Sequence, residues 1–157
     1  LLGSFGFHPA FRWPLRPGIA RERHSLRFEC AETAPVRRAH DGLMLERGAP
    51  SPVEGNVLHL RDELFNDGAI VWDELASRSL TYGAENGGPR LSVRFPDTPH
   101  LGVWTKPGAD FLCIEPWQGF ASPSGFDGEL ADKPGIVSLP VGETRRWRMD
   151  ISVSSPS

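Results

Sequence analysis

The chain has 157 residues, enough for one domain with its own hydrophobic core. Fifteen prolines and seventeen glycines exclude a mainly helical protein, since both interrupt helices. A net charge of −3 gives nucleic acid no basic surface to bind, and no apolar run is long enough for a membrane-spanning helix.

Taken from the start, "LLGSFGFHPAF" opens on strand-like sequence without an initiator methionine or a signal peptide, which reads as a piece of a longer or processed chain. Short strands are then expected at "SLRFEC" (25–30), "GLMLE" (42–46) and "NVLHL" (56–60). "RDELFNDGAIVWDELA" comes nearest to a helix, but Gly68 and the β-branched residues after it favour a short turn or helix followed by a strand, "AIVW" (69–72). "RSLTY" (78–82) and "RLSVRF" (90–95) follow, the latter with Leu91, Val93 and Phe95 alternating against Ser92 and Arg94. Next come "LGVWT" (101–105) and "DFLCI" (110–114), where Pro116 is expected to stop the strand and leave Glu115 at a sheet end. Residues 118–135 are rich in Gly, Pro, Ser and Asp and read as a long loop of the kind that often carries function. "GIVSL" (135–139) and "RWRMDISV" (146–153) close the set, the last with Trp147, Met149, Ile151 and Val153 on one face, and residues 154–157 read as a frayed tail. Gly/Pro turns such as "ENGGP", "FPDTP" and "DKPG" divide these segments, the pattern of an all-β antiparallel sandwich or barrel.

Two side chains raise a chemical question. Glu115 ends the apolar run "FLCI", and burying an ionised carboxylate costs several kcal/mol or raises its pKa. It is either a rim carboxylate in water, or paired with an arginine, or a half-buried general base beside Trp117. His8 is held extended by Pro9; it is either packed among Phe7, Phe11 and Trp13 or a proton donor titrating near neutrality. The arginines at 12, 16, 21, 23 and 27 read as a solvated face, with Arg12 or Arg16 within reach of an anionic substrate.

The histidines at 8, 24, 40, 59 and 100 show no metal-ligand spacing, and no metal is expected. P-loop, nucleophile-elbow and dinucleotide fingerprints are absent from the sequence. Cys30 and Cys113 form no disulfide framework; Cys113, inside an apolar run, reads as a residue that packs as a small hydrophobe, and the setting as cytoplasmic.

"GFHPAFRWPL", "GVWTKPGADFLCIEPWQGFASP" and "DKPGIVSLPVGETRRWRMDI" together resemble the aldose 1-epimerase (mutarotase) family, in particular its LacX-like branch. The resemblance covers most of the chain and implies a large antiparallel β-sandwich, of which residues 1–153 are the C-terminal part, incomplete at the N-terminus. It implies interconversion of the α and β anomers of an aldohexose without cofactor or metal. It also implies that an arginine and a second histidine of the site precede Leu1. His8 matches the family's ring-oxygen acid and Glu115 its base at the anomeric hydroxyl. Asp67 matches the acidic residue that bonds sugar hydroxyls, with Asp62 and Asp73 as close competitors. Trp117, Trp13 or Phe120 offers an apolar face to the sugar or belongs to the core, and Gln118 can bond a hydroxyl. The expected partner is a small-molecule sugar, with no nucleic acid and no membrane. The alternatives are a non-catalytic carbohydrate-binding sandwich, an epimerase of a phosphorylated hexose, or a structural β-domain without ligand.

Overall fold

The structure is a computed structural model that describes residues 1–45, 48–85 and 87–154. Fifteen short strands follow one another in the described residues. They are β1 (Leu2–Gly3), β2 (Phe5–Gly6), β3 (Ala10–Arg12), β4 (His24–Phe28), β5 (Arg37–His40), β6 (Leu43–Met44), β7 (Val57–His59) and β8 (Ala69–Trp72). The rest are β9 (Ser79–Ala84), β10 (Arg90–Arg94), β11 (His100–Trp104), β12 (Phe111–Gln118), β13 (Ser122–Pro123), β14 (Val137–Ser138) and β15 (Asp150–Ser154). Helical structure among the described residues is confined to three single turns of 3₁₀ type, at Arg21–Arg23, Asp62–Phe65 and Leu130–Asp132. The Asp62–Phe65 turn leads into β8, as the glycine and β-branched residues there require.

One sheet has the order β15-β10-β9-β4-β7 and the other β13-β6-β5-β8-β11-β12-β2, with β3 also pairing β12; β1 and β14 form a separate ribbon. All pairings are antiparallel except β6 with β13, which run parallel. The core lies between the two large sheets. Leu26, Phe28, Leu58, Leu80, Tyr82, Leu91 and Val93 face it from the first, and Ile70, Trp72, Leu101, Val103, Leu112 and Ile114 from the second. Because side chains alternate along a strand, this arrangement commits the even residues of β12 to the core and the odd ones to the opposite, outer face. The Tyr82 hydroxyl crosses the core and donates to the Arg12 carbonyl at 2.9 Å, tying the five-stranded sheet to the edge of the other. Burial pushes that phenol's pKa well up, so it stays a donor.

Three expectations are corrected. Pro116 does not end its strand: β12 runs on through it to Gln118. Its missing N–H points at the neighbouring segment 7–9 rather than into β11, where its absence leaves the ladder intact. Residues 146–149 are not strand, and β15 begins at Asp150. β15 is an edge strand with β10 on one side, so Ile151 and Val153 remain exposed although they alternate correctly. Trp147 instead stacks on Phe5, ring centroids 5.2 Å apart. The expected loop at 118–135 contains β13 and a 3₁₀ turn. Of the expected tail, Ser154 is instead the last residue of β15, while Glu46 of "GLMLE", Asn86 of "ENGGP" and the tail from Ser155 lie outside the described residues. Among the described residues no helix is long and apolar enough to cross a membrane.

Candidate active site

β12 is flanked by β11 on one side and by β2 and β3 on the other. The pairings of β2 (Gly6 with Trp117) and β3 (Ala10 with Cys113) keep one register, which places His8 directly opposite Glu115. The pairs on either side of them are each half made. The amide of Ile114 donates to the Pro9 carbonyl at 3.3 Å and that of Phe7 to the Pro116 carbonyl at 3.0 Å, while the two prolines have no N–H to return. His8 and Glu115 are thereby the widely bonded pair, whose side chains stand closest together in an antiparallel ladder. The His8 Nδ1 lies 3.2 Å from Glu115 Oε2.

The two groups differ in environment. The Glu115 side chain is 8% exposed and that of His8 65%. Burial pushes the Glu115 carboxyl up to about 7, and a hydrogen bond from Trp117 offsets part of this. Glu115 therefore exchanges its proton near neutrality, next to an imidazole open to solvent.

Around this pair the face is built for close approach. Arg37, Val71, Gly102 and Glu115 form one row across the sheet, each opposite the next. Trp117 lies flat beside that row. A Cβ on Gly102 would sit 2.5 Å from its six-membered ring, and one on Gly6 would sit 2.6 Å from its five-membered ring. Two glycines on the flanking strands thus let the indole lie across the sheet surface. Its half-buried ring, with Phe5, Gly6 and Phe120, borders a pocket of about 290 Å³. His100 pairs with Trp117 across the ladder and packs edge-on against Phe120, centroids 5.0 Å apart. Burial lowers the His100 pKa, which keeps it neutral, and its Nδ1 is 3.1 Å from the Asp73 carbonyl.

No family model matches the chain. It is 33% identical over 152 residues to the chromosomal protein LacX of Lactococcus lactis subsp. lactis, and equally to its plasmid form; the match covers 94% of this chain and 51% of each relative. It superimposes on a galactose mutarotase related enzyme from Lactobacillus acidophilus with a TM-score of 0.85 at 25% identity, over 100% of this chain and 53% of that one. A galactose mutarotase-like protein from Lactobacillus casei gives a TM-score of 0.80 at 21% identity, over 98% and 54%. The chain belongs to the galactose mutarotase-like family. It spans about half the length of the curated relatives it matches.

Within this mutarotase-like fold the expected site residues separate. His8, Glu115 and Trp117 share the outer face of the larger sheet. Gln118 lines the same pocket as Trp117, but one residue further along β12 its side chain leaves the other face, where it is buried and donates to the Gly135 carbonyl at 3.0 Å. Asp67 is exposed in the turn before β8 and borders a pocket with Arg38, His40, Leu45 and Asn66. No hydrogen bond or ion pair links it to Glu115 or His8 among the described residues. Of its two competitors, Asp73 flanks the outer-face row through its ion pair with Arg37 (2.6 Å), whereas Asp62 is engaged by Arg21 at 2.8 Å. Trp13 is core, fully buried under the Arg21 guanidinium.

Sequence reasoning missed two residues of this face, His100 and Arg37, and held Asp73 only as a competitor of Asp67. His100, Asp73 and Arg37 carry no motif, and they meet only through the strand order β5-β8-β11. Cys113 packs as the small buried hydrophobe expected, 2% exposed, and it does so on the outer face two residues before Glu115, outside the core cluster. Parity with Glu115 along one strand was the signal that could have placed it.

Proposed function

We propose that this chain supplies the acid–base pair of an aldose 1-epimerase, interconverting the α and β anomers of an aldohexose by ring opening and reclosure. The observation that carries the reading is the in-register pair itself: a buried carboxyl titrating near 7 held 3.2 Å from an exposed imidazole. Ionised Glu115 takes the proton from the hydroxyl at C1 as His8 delivers one to the ring oxygen. The C1–O5 bond breaks, and C1 becomes the free aldehyde. Rotation about C1–C2 presents the other carbonyl face, and as the ring closes Glu115 returns its proton to O1 while His8 takes one back from the O5 hydroxyl. O1 and O5 are both bonded to C1, so a base and an acid in mutual contact fit the two sites of proton transfer once the sugar slides between them.

Trp117 offers the sugar ring a flat apolar surface beside the pair, and His100 a neutral imidazole for a hydroxyl. Both cysteines are free thiols, which fits the reducing cytoplasm in which we place the activity. The test is anomer exchange of glucose and galactose by saturation-transfer NMR with this chain and its Glu115→Gln variant. Exchange above the uncatalysed rate, abolished by the substitution, supports catalysis. Sugar-induced quenching of tryptophan fluorescence without exchange in either protein would make the chain a carbohydrate binder and overturn the reading.

A further inference from the structure

Mutarotation gives the buried Cys113 thiol of the outer face no role. The Cys113 thiol, His8 imidazole and Glu115 carboxylate each bring a donor atom to one point, all within 4.8 Å of one another. No spacing rule reveals this trio, because His8 and Cys113 come from distant parts of the chain and meet only across the pairing of β12 with the segment between β2 and β3. We propose that His8, Cys113 and Glu115 form a binding site for a thiophilic divalent cation, of the Zn²⁺ class, that competes with the sugar for the acid–base pair.

The donor set decides the class. One sulfur, one imidazole nitrogen and one carboxylate oxygen are the ligands of three-coordinate zinc sites that keep a fourth position open. Mg²⁺ and Ca²⁺ demand six or more oxygens, which this face does not supply. The geometry is nearly in place. Tetrahedral bonds of about 2.0 Å to nitrogen and oxygen put those two atoms roughly 3.3 Å apart. The His8 and Glu115 atoms already stand 3.2 Å apart. Cys113 and Glu115 are fixed by their strand, and the exposed His8 ring is free to turn onto the ion from the solvent side, which leaves the fourth position facing water. On binding, the S–H bond of Cys113 breaks and an S–metal bond forms, with the proton passing to solvent. The cation holds the nitrogen and oxygen that otherwise carry the proton, so occupancy stops the exchange.

Cation binding stands independently; only the inhibition rests on the mutarotation reading. Titration of the chain with Co²⁺ is expected to give a sulfur-to-cobalt charge-transfer band that saturates at one equivalent, persists in Cys30→Ser and is lost in Cys113→Ser. Zn²⁺ affinity by calorimetry is expected to fall by more than about tenfold in His8→Gln, a change at an exposed position that leaves the fold intact. Absence of the band from the unaltered chain, or its persistence in Cys113→Ser, would overturn the site, the latter by moving it to Cys30. Unchanged Zn²⁺ affinity in His8→Gln would do the same. Where binding is seen, Zn²⁺ should abolish anomer exchange and a chelator restore it. Exchange that runs undisturbed with zinc bound would refute the competition. A chain that binds the cation but shows no exchange without it would sink the mutarotation reading and leave the cation site standing.

Discussion

Glu115→Gln should make the protein more stable at alkaline pH while removing its proposed activity. The carboxyl titrates at about 7 in the folded protein against 4.5 for the free group, chiefly because burial penalises its ionised form. The folded state therefore holds the proton more tightly than the unfolded state does. Its relative stability is complete below the ordinary carboxylate range and is lost as pH rises through about 7. With about 1.36 kcal/mol per tenfold in proton affinity, this one group removes roughly 2.5 kcal/mol between pH 5 and pH 8. Glutamine keeps the shape and an acceptor for Trp117 but carries no charge, so the variant should lack that loss. The assay is urea unfolding of both proteins at pH 5 and pH 8, followed by tryptophan fluorescence. With an m-value of about 2 kcal/mol/M, the midpoint of the original chain should fall by roughly 1 M relative to the variant. Parallel pH dependences in the two proteins would show that Glu115 ionises without penalty, and the base assignment would lose its physical ground.

Anomer exchange should fall as pH drops below about 7, because the base acts only when ionised; a rate that stays level from pH 7 down to pH 5 would contradict this. Gly102→Ala should push the Trp117 indole off the sheet, since the new methyl would lie 2.5 Å from its ring. We expect a loss of about 1–3 kcal/mol in stability and weaker sugar-induced fluorescence change; intact values for both would show that the ring is not held there. Glu32→Ala should be destabilising by about 1–3 kcal/mol in urea unfolding, because its buried carboxylate accepts the Ala76 and Ser77 amides at 3.1 and 2.7 Å, which would be left unpaired. Gln118→Leu should lower stability through its lost bond to Gly135 while leaving sugar affinity unchanged; a selective loss of affinity would return Gln118 to the binding face.

The sequence by itself determined the strands and much of the chemistry. Alternation is a local property, so "AIVW" is a strand of the expected extent and "RLSVRF" one that stops a residue early at Arg94, and the glycine after Asp67 placed a turn before the first of them. The segment "FLCIEPWQG" identified Glu115 because an apolar run ending in a carboxylate is costly wherever it folds. Sequence could not say which face of a strand meets the core, since parity is fixed only when a second sheet covers one side. That decision, made by the packing of Leu112 and Ile114 against the five-stranded sheet, sent Cys113, Glu115 and Trp117 outward and turned Gln118 away from them. Nor could it foresee a proline inside β12. Pro116 is tolerated because its nitrogen faces Phe7, whose own N–H still pairs with the Pro116 carbonyl. The same cross-strand register brings His8 to Glu115 and gathers Arg37, Asp73 and His100 onto the same face. These contacts join residues far apart in the chain, and only the order of strands in the folded sheet brings them within reach.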